Sequence, residues 1–171
     1  MIKGFREWLV EGVVAPVVVD KIETGLAIVD GLVKRGFSPK AAAAITGNAW
    51  KESEFNPAAK SPTGEYLGLI QWGTAGSRRE KLKKLPSWHT IETQLDFIKN
   101  EFTNPYYSRH LPAIEAADIK TAAAKVMTYY EGTSHGLETR QAAAEQIWQA
   151  WQAKNQEPDT AFDQGQIDKD I

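Results

Sequence analysis

The stretch Gly47-Asn48-Ala49-Trp50-Lys51-Glu52-Ser53-Glu54-Phe55-Asn56-Pro57 closes an alanine-rich run and carries two acids to its end. Lys40 to Lys51 is strongly helix-forming, and Ser38-Pro39 supplies an N-cap serine and a first-turn proline ahead of it. The helix must stop before Asn56-Pro57, because proline disfavours helical geometry in the residue preceding it. Glu52 shares a helix face with Ile45, Asn48 and Ala49, at separations of seven, four and three. Ile45 and Ala49 look like core contacts, so Glu52 is expected to face the interior side or a cleft, with Glu54 facing elsewhere. Lost solvation beside apolar surface raises a carboxyl's pKa, and the negative end of the helix dipole acts the same way. Both effects favour an acid still protonated near neutral pH, as a general acid must be. The plain alternative is a glutamate paired with a lysine on a helix surface.

Upstream, Ile22, Leu26, Val29 and Val33 recur every three to four residues and mark one buried helix face from about Lys21. Gly36 ends that helix. The first twenty residues stand apart. Their basic start and apolar run have the outline of a signal peptide, but Glu11 and Pro16 interrupt the run and no clean cleavage site follows. Residues 1–20 are expected to form an apolar docking extension, with a membrane-surface role as the alternative. Downstream of Pro57, Ser61-Pro62-Thr63-Gly64 signals a turn, and Leu67 to Trp72 is rich in apolar and aromatic residues. A short β-hairpin or extended loop is expected between Asn56 and Gly76. Helices are expected near Arg78–Lys84, Ile91–Phe102, Ile119–Tyr130 and Leu137–Ala153. The spacing thus divides the chain into an extension (1–20), a mainly α domain (21–153) and an acidic tail (154–171).

A net charge of −2 excludes nucleic-acid binding by bulk electrostatics. The basic cluster Arg78-Arg79-Glu80-Lys81-Leu82-Lys83-Lys84 reads first as a solvated helix face, and second as a hold on an anionic polymer. The absence of cysteine excludes disulfides, thiolate chemistry and Cys-ligated zinc, and leaves the compartment open. His89, His110 and His135 lack metal-ligand spacing, so neither a metal nor another cofactor is expected. Six tryptophans are many for 171 residues. Four are expected in the core and one or two on the wall of a sugar cleft, since aromatic faces stack on the C–H faces of sugars.

Combined with Gly68-Leu69-Ile70-Gln71-Trp72, the Glu52-Ser53 helix end resembles the phage tail lysozyme family, within the wider lysozyme and lytic transglycosylase superfamily. Gly47-Asn48, Asn56-Pro57, Arg78-Arg79, Gln94-Leu95-Asp96-Phe97-Ile98, Tyr130-Glu131, Arg140 and Ala144 fit in order, so the resemblance spans roughly Ile22 to Trp151. It implies a mainly α, lysozyme-like fold with a small β-hairpin or loop region forming one wall of the active-site cleft. It also implies that Glu52 protonates the oxygen leaving between N-acetylmuramic acid and N-acetylglucosamine. Ser53 is expected to support it by hydrogen bonding; no histidine stands ready to make it a nucleophile. A hydrolase normally needs a second carboxylate, and Glu65, in the loop opposite, is the better candidate than Glu54; an ordinary exposed turn residue is the alternative. Without a second carboxylate, lytic transglycosylase chemistry applies. Tyr66, Gln71, Trp72 and Tyr130 are candidate substrate contacts, with core packing the alternative for Trp72 and an ion pair with Arg140 the plain reading of Glu131.

The expected substrate is the glycan strand of peptidoglycan, with chitin as a rival polymer and a non-catalytic virion module as a rival class. The likeness points to a bacteriophage, and the two terminal segments, read as docking segments, point to a virion component, in a phage tail or inside the particle, acting in the bacterial periplasm or cell wall. Residues 1–20 and the acidic tail would dock on phage structural proteins. An endolysin serving host lysis is the alternative setting.

Overall fold

The computed structural model describes residues 16–156, with side chains from residue 20 onward. The first of the described helices, α1 (Pro16–Lys34), begins some residues before the expected start near Lys21, so the end of the apolar stretch belongs to it. The rest of the expected docking extension, and the tail beyond residue 156, lie outside the described residues. Ile22, Leu26 and Val29 are buried as their spacing requires, joined by Ile28 and Leu32. Gly36 adopts φ +93°, and Phe37 N–H closes back on Leu32 O at 3.2 Å. That is a glycine stop satisfying an orphaned carbonyl.

The second helix, α2 (Pro39–Ser53), is the axis of the fold. Ser38 caps it by accepting from Ala41 N–H at 3.2 Å. Every residue from Ala41 to Ala49 is buried, because neighbours surround the helix: α1, α6 (Leu111–Ala116), α7 (Ile119–Val126) and α8 (Leu137–Asn155). Alanine therefore serves packing as well as propensity; small side chains let other helices approach closely. At Gly47 the approach is extreme, since an added Cβ would lie 2.5 Å from Ala144 N and 2.6 Å from its Cα. The buried polar groups are satisfied: Thr46 Oγ1 donates to Ala42 O at 2.8 Å, and Asn48 Nδ2 donates to Ala44 O and Ala123 O.

Between α2 and α3 (Arg78–Lys83) the chain forms a loop rather than a hairpin with strands. Among the described residues its β character is two isolated antiparallel bridges, Lys60↔Leu67 and Leu67↔Trp72. Positive φ at Gly64, Gly68 and Gln71 turns the backbone too often for a strand to extend. Gln94, on α4 (Ile91–Glu101) and wholly buried, fastens this loop. Its Oε1 accepts from Leu69 N–H at 2.8 Å, and its Nε2 donates to Pro57 O and Trp88 O at 2.7 Å.

The segment expected as one helix from Ile119 to Tyr130 is α7 followed by a widened π turn, Met127–Glu131, closed by Gly132 at φ +69°. Two short helices, α5 (Pro105–Ser108) and α6, precede it and were not anticipated. The basic cluster does not simply face solvent: Leu82 is buried, and Arg78 turns inward onto Glu101. Among the described residues no helix is long and apolar enough to cross a membrane.

Candidate active site

The end of α2 opens into a cavity of about 430 Å³ lined by Glu52, Tyr66, Gln71, Glu131, His135 and Arg140, among others. Glu54 caps the helix in the left-handed region (φ 52°), with its N–H on Trp50 O, and so ends it just past the Glu52-Ser53 pair. The opposite wall is held by that serine. Ser53 Oγ lies 2.9 Å from Leu69 O and 3.1 Å from Ala49 O, while Gln94 holds Leu69 N–H. The loop backbone is thus fixed from both sides, and Gly68 (φ +79°) admits Gln94 where a Cβ would lie 2.8 Å from Oε1. Ser53 thus bonds backbone carbonyls of the helix and the loop rather than Glu52 itself.

Glu52 does face a cleft, as the helix spacing predicted, but its partner comes from far along the chain. Arg140, in the early part of α8, bonds Glu52 Oε1 through Nη2. Its Nη1 donates to Asn48 Oδ1 at 2.9 Å, and its Nε to His135 O at 3.0 Å. Asn48 therefore links the axis helix to the guanidinium, one turn below Glu52. Glu131 Oε2 lies 3.7 Å from Arg140 Nη1. Two carboxyls thus flank one guanidinium. Side-chain exposure separates them: 19% for Glu52, against 3% for Glu131 and 2% for Arg140. Burial, then the neighbouring Glu52 charge, pushes the Glu131 carboxyl up to about 8.

The other expected site residues divide. Tyr66, half-exposed, lines the cavity, and so does Gln71, whose Nε2 donates to Gly68 O at 2.9 Å and Ala59 O at 3.3 Å. Gln71 therefore buttresses the loop and faces the cleft at once. Glu65 does not enter the cavity; it is exposed on the outer turn, so the second carboxyl beside Glu52 is Glu131. Trp72 is a correction as well. It packs edge-on against Phe97 in the core, and its Nε1 donates to Glu101 Oε2 at 2.9 Å. None of the described tryptophans (Trp50, Trp72, Trp88, Trp148, Trp151) lines this cavity. Tyr130 is buried too, its hydroxyl donating to the same Glu101 oxygen. Glu101 also receives Arg78 Nε at 2.6 Å and Nη2 at 2.9 Å. This network floors a second cavity of about 650 Å³ that shares Glu131 and Gly132 with the first. Exposed aromatic surface appears here, on Tyr106 and Tyr129, the latter stacked on His110 with rings 4.1 Å apart and nearly parallel.

Sequence reasoning treated Glu131 and Arg140 as a pair with no further consequence. The available signal was an acid at a helix end beside a tyrosine and a glycine, and an arginine on a helix face otherwise made of alanine and isoleucine.

Residues 23–151, most of the chain and all of the site, match the family of phage tail lysozymes. No curated protein matches the chain. Glu-Ser at the end of the axis helix, the Gly-Leu-Ile-Gln loop facing it and the buried Arg140 all fall inside the matched region, and the chain belongs to the phage tail lysozyme family, with a lysozyme-like, peptidoglycan-degrading role.

Proposed function

We propose that this protein is a virion-associated muramidase that cleaves the β-1,4 bond between N-acetylmuramic acid and N-acetylglucosamine, with Glu52 protonating the departing oxygen. The observation that carries the reading is the partly exposed Glu52 carboxyl at the cleft, its helix end tied by Ser53 to the Gly68–Trp72 loop, in a chain of this family. Tyr66 and Gln71 contact the sugar beside Glu52. The strand continues over Gly132 into the larger cavity, where Tyr106 and Tyr129 offer faces for stacking. Residues 1–20 and 154–171 dock the protein on phage structural proteins, and it acts in the periplasm or wall during genome entry.

One observation favours a second chemistry at the same bond. Glu65 is outside the cleft and Glu131 is buried, so Glu52 is the carboxyl open to a reacting sugar. A single carboxyl can serve as acid and then base. Glu52 gives its proton to the glycosidic oxygen as the C1–O bond breaks, then takes the proton of the muramyl 6-hydroxyl as the O6–C1 bond forms, and no water is consumed. In hydrolysis a water supplies the hydroxyl at C1 and returns the proton.

Digestion of purified sacculi with mass spectrometry of the released muropeptides tests both. Reducing muramic ends support the hydrolase; 1,6-anhydro ends support the transglycosylase. Intact sacculi after prolonged incubation with folded protein would overturn the enzymatic reading and leave a non-catalytic virion module. Absence of the protein from purified phage particles would overturn the virion setting in favour of an endolysin.

A further inference from the structure

Glu131 Oε1 is the one buried side-chain oxygen among the described residues with no hydrogen-bond partner. Such orphans are rare in folded proteins, and this one sits at the junction of both cavities. Its charged surroundings come from every neighbouring element: Glu52 on α2, Arg140 on α8, Arg78 at the start of α3 and Glu101 on α4. Lys51 and His135 line the same cavity, and Tyr130 precedes Glu131 in the π turn. Arg78 and Glu101 neutralise each other through a two-fold hydrogen bond. The local balance therefore lies with Glu52, Glu131 and the single guanidinium between them. One guanidinium cannot neutralise both carboxylates, and the buried Glu131, which stands off from it, is the one that keeps a proton. Arg140 touches Glu52 and stands off from Glu131 at 3.7 Å, beyond hydrogen-bond length.

We propose, given that Glu52 is the acid for glycan cleavage, that Glu131 is its positioning residue: the two carboxyls hold one proton between them across Arg140. Without substrate the guanidinium lies on Glu52, and Glu131 keeps the proton, in line with its upward shift to about 8. A sugar seated against Glu52 displaces water and favours the protonated form there. Glu52 then gains an O–H bond as Glu131 loses one, and Arg140 closes the gap to Glu131. The site carries one negative and one positive charge throughout, so no charge is left buried alone. Glu52 is thereby armed with a proton it can pass to the glycosidic oxygen. The π turn that carries Glu131, a distortion often found at functional sites, sets the carboxyl at this stand-off.

The test is a carbon-13 NMR titration of the full chain with labelled glutamate carboxyls, as wild type and Glu52→Gln, with no substrate present. The resonance missing from Glu131→Asp identifies Glu131. Removing the Glu52 charge removes a repulsion and frees Arg140, so the Glu131 midpoint moves down from about 8; an unmoved midpoint overturns the proposal. A second arm reads dye release from labelled sacculi against pH. Glu131→Gln shifts the alkaline limb to lower pH and lowers kcat by about a hundredfold, the low end of what acid–base catalysis supplies. Glu131→Asp restores the limb towards the wild-type position. A Glu131→Gln enzyme with the wild-type profile overturns the proposal. If wild type releases no dye, glycan cleavage is what has failed, and the titration still decides whether the carboxyls are coupled.

Discussion

The Glu131 carboxyl binds its proton more tightly in the folded chain, at about 8, than in an unfolded one, where 4.5 is ordinary. The sign of the resulting pH dependence follows from linkage. A raised folded-state value means that this group's contribution to stability is fully present below pH 4.5 and is lost as pH rises towards about 8. Thermal denaturation across that window should therefore show a melting temperature that falls with pH, and Glu131→Gln, which cannot ionise, should flatten the fall. A variant that keeps the wild-type slope would contradict this assignment. At the same scale, helix spacing placed Glu52 at a cleft, yet its surroundings could not be read from the sequence. Arg140 stands 88 positions away, and Glu131 comes from the π turn that follows α7. Local periodicity cannot register either fact. Glu65 was preferred because it lies in the loop expected to face Glu52, whereas the fold brings in a carboxyl from a distant helix end.

Among the elements, α2 and α8 matter most, since their crossing sets the distance between Glu52 and Arg140. Gly47 is the contact point. An alanine there would drive its Cβ against Ala144 backbone at 2.5 Å, so Gly47→Ala should destabilise the protein by about 1–3 kcal/mol, the usual range for overpacking. Chemical denaturation measures this, and a neutral result would mean that the helices can part without loss. Ser38→Ala should cost about 1 kcal/mol by removing the N-cap of α2. The long helices were legible because propensity, caps and glycine stops agree along the sequence. The four-residue α5 was not, because a single turn carries too little periodicity to be seen. The apolar run Leu67 to Trp72 suggested a strand, but tertiary contacts from Gln94 and Ser53, rather than a sheet ladder, take up part of that backbone's hydrogen bonding.

Across the whole molecule, Glu101 joins three parts of the fold: the loop through Trp72, α3 through Arg78 and the π turn through Tyr130. Glu101→Gln would leave the largely buried Arg78 guanidinium without its carboxylate. A destabilisation of about 3–5 kcal/mol is expected from breaking a buried pair on one side. The floor of the larger cavity should loosen with it, visible as faster amide hydrogen exchange in residues 127–132. Unchanged exchange would show that the hub does not hold the groove. The tryptophans expected on a cleft wall are, among the described residues, packed in or against the core, and the exposed aromatic side chains include Tyr66, Tyr106 and Tyr129. The most direct test of the account is digestion of purified sacculi by wild type and Glu52→Gln, with circular dichroism to verify equal folding. The account predicts soluble muropeptides from wild type and at least about a hundredfold less from the variant. Equal release by the two proteins would contradict it and remove Glu52 from the chemistry.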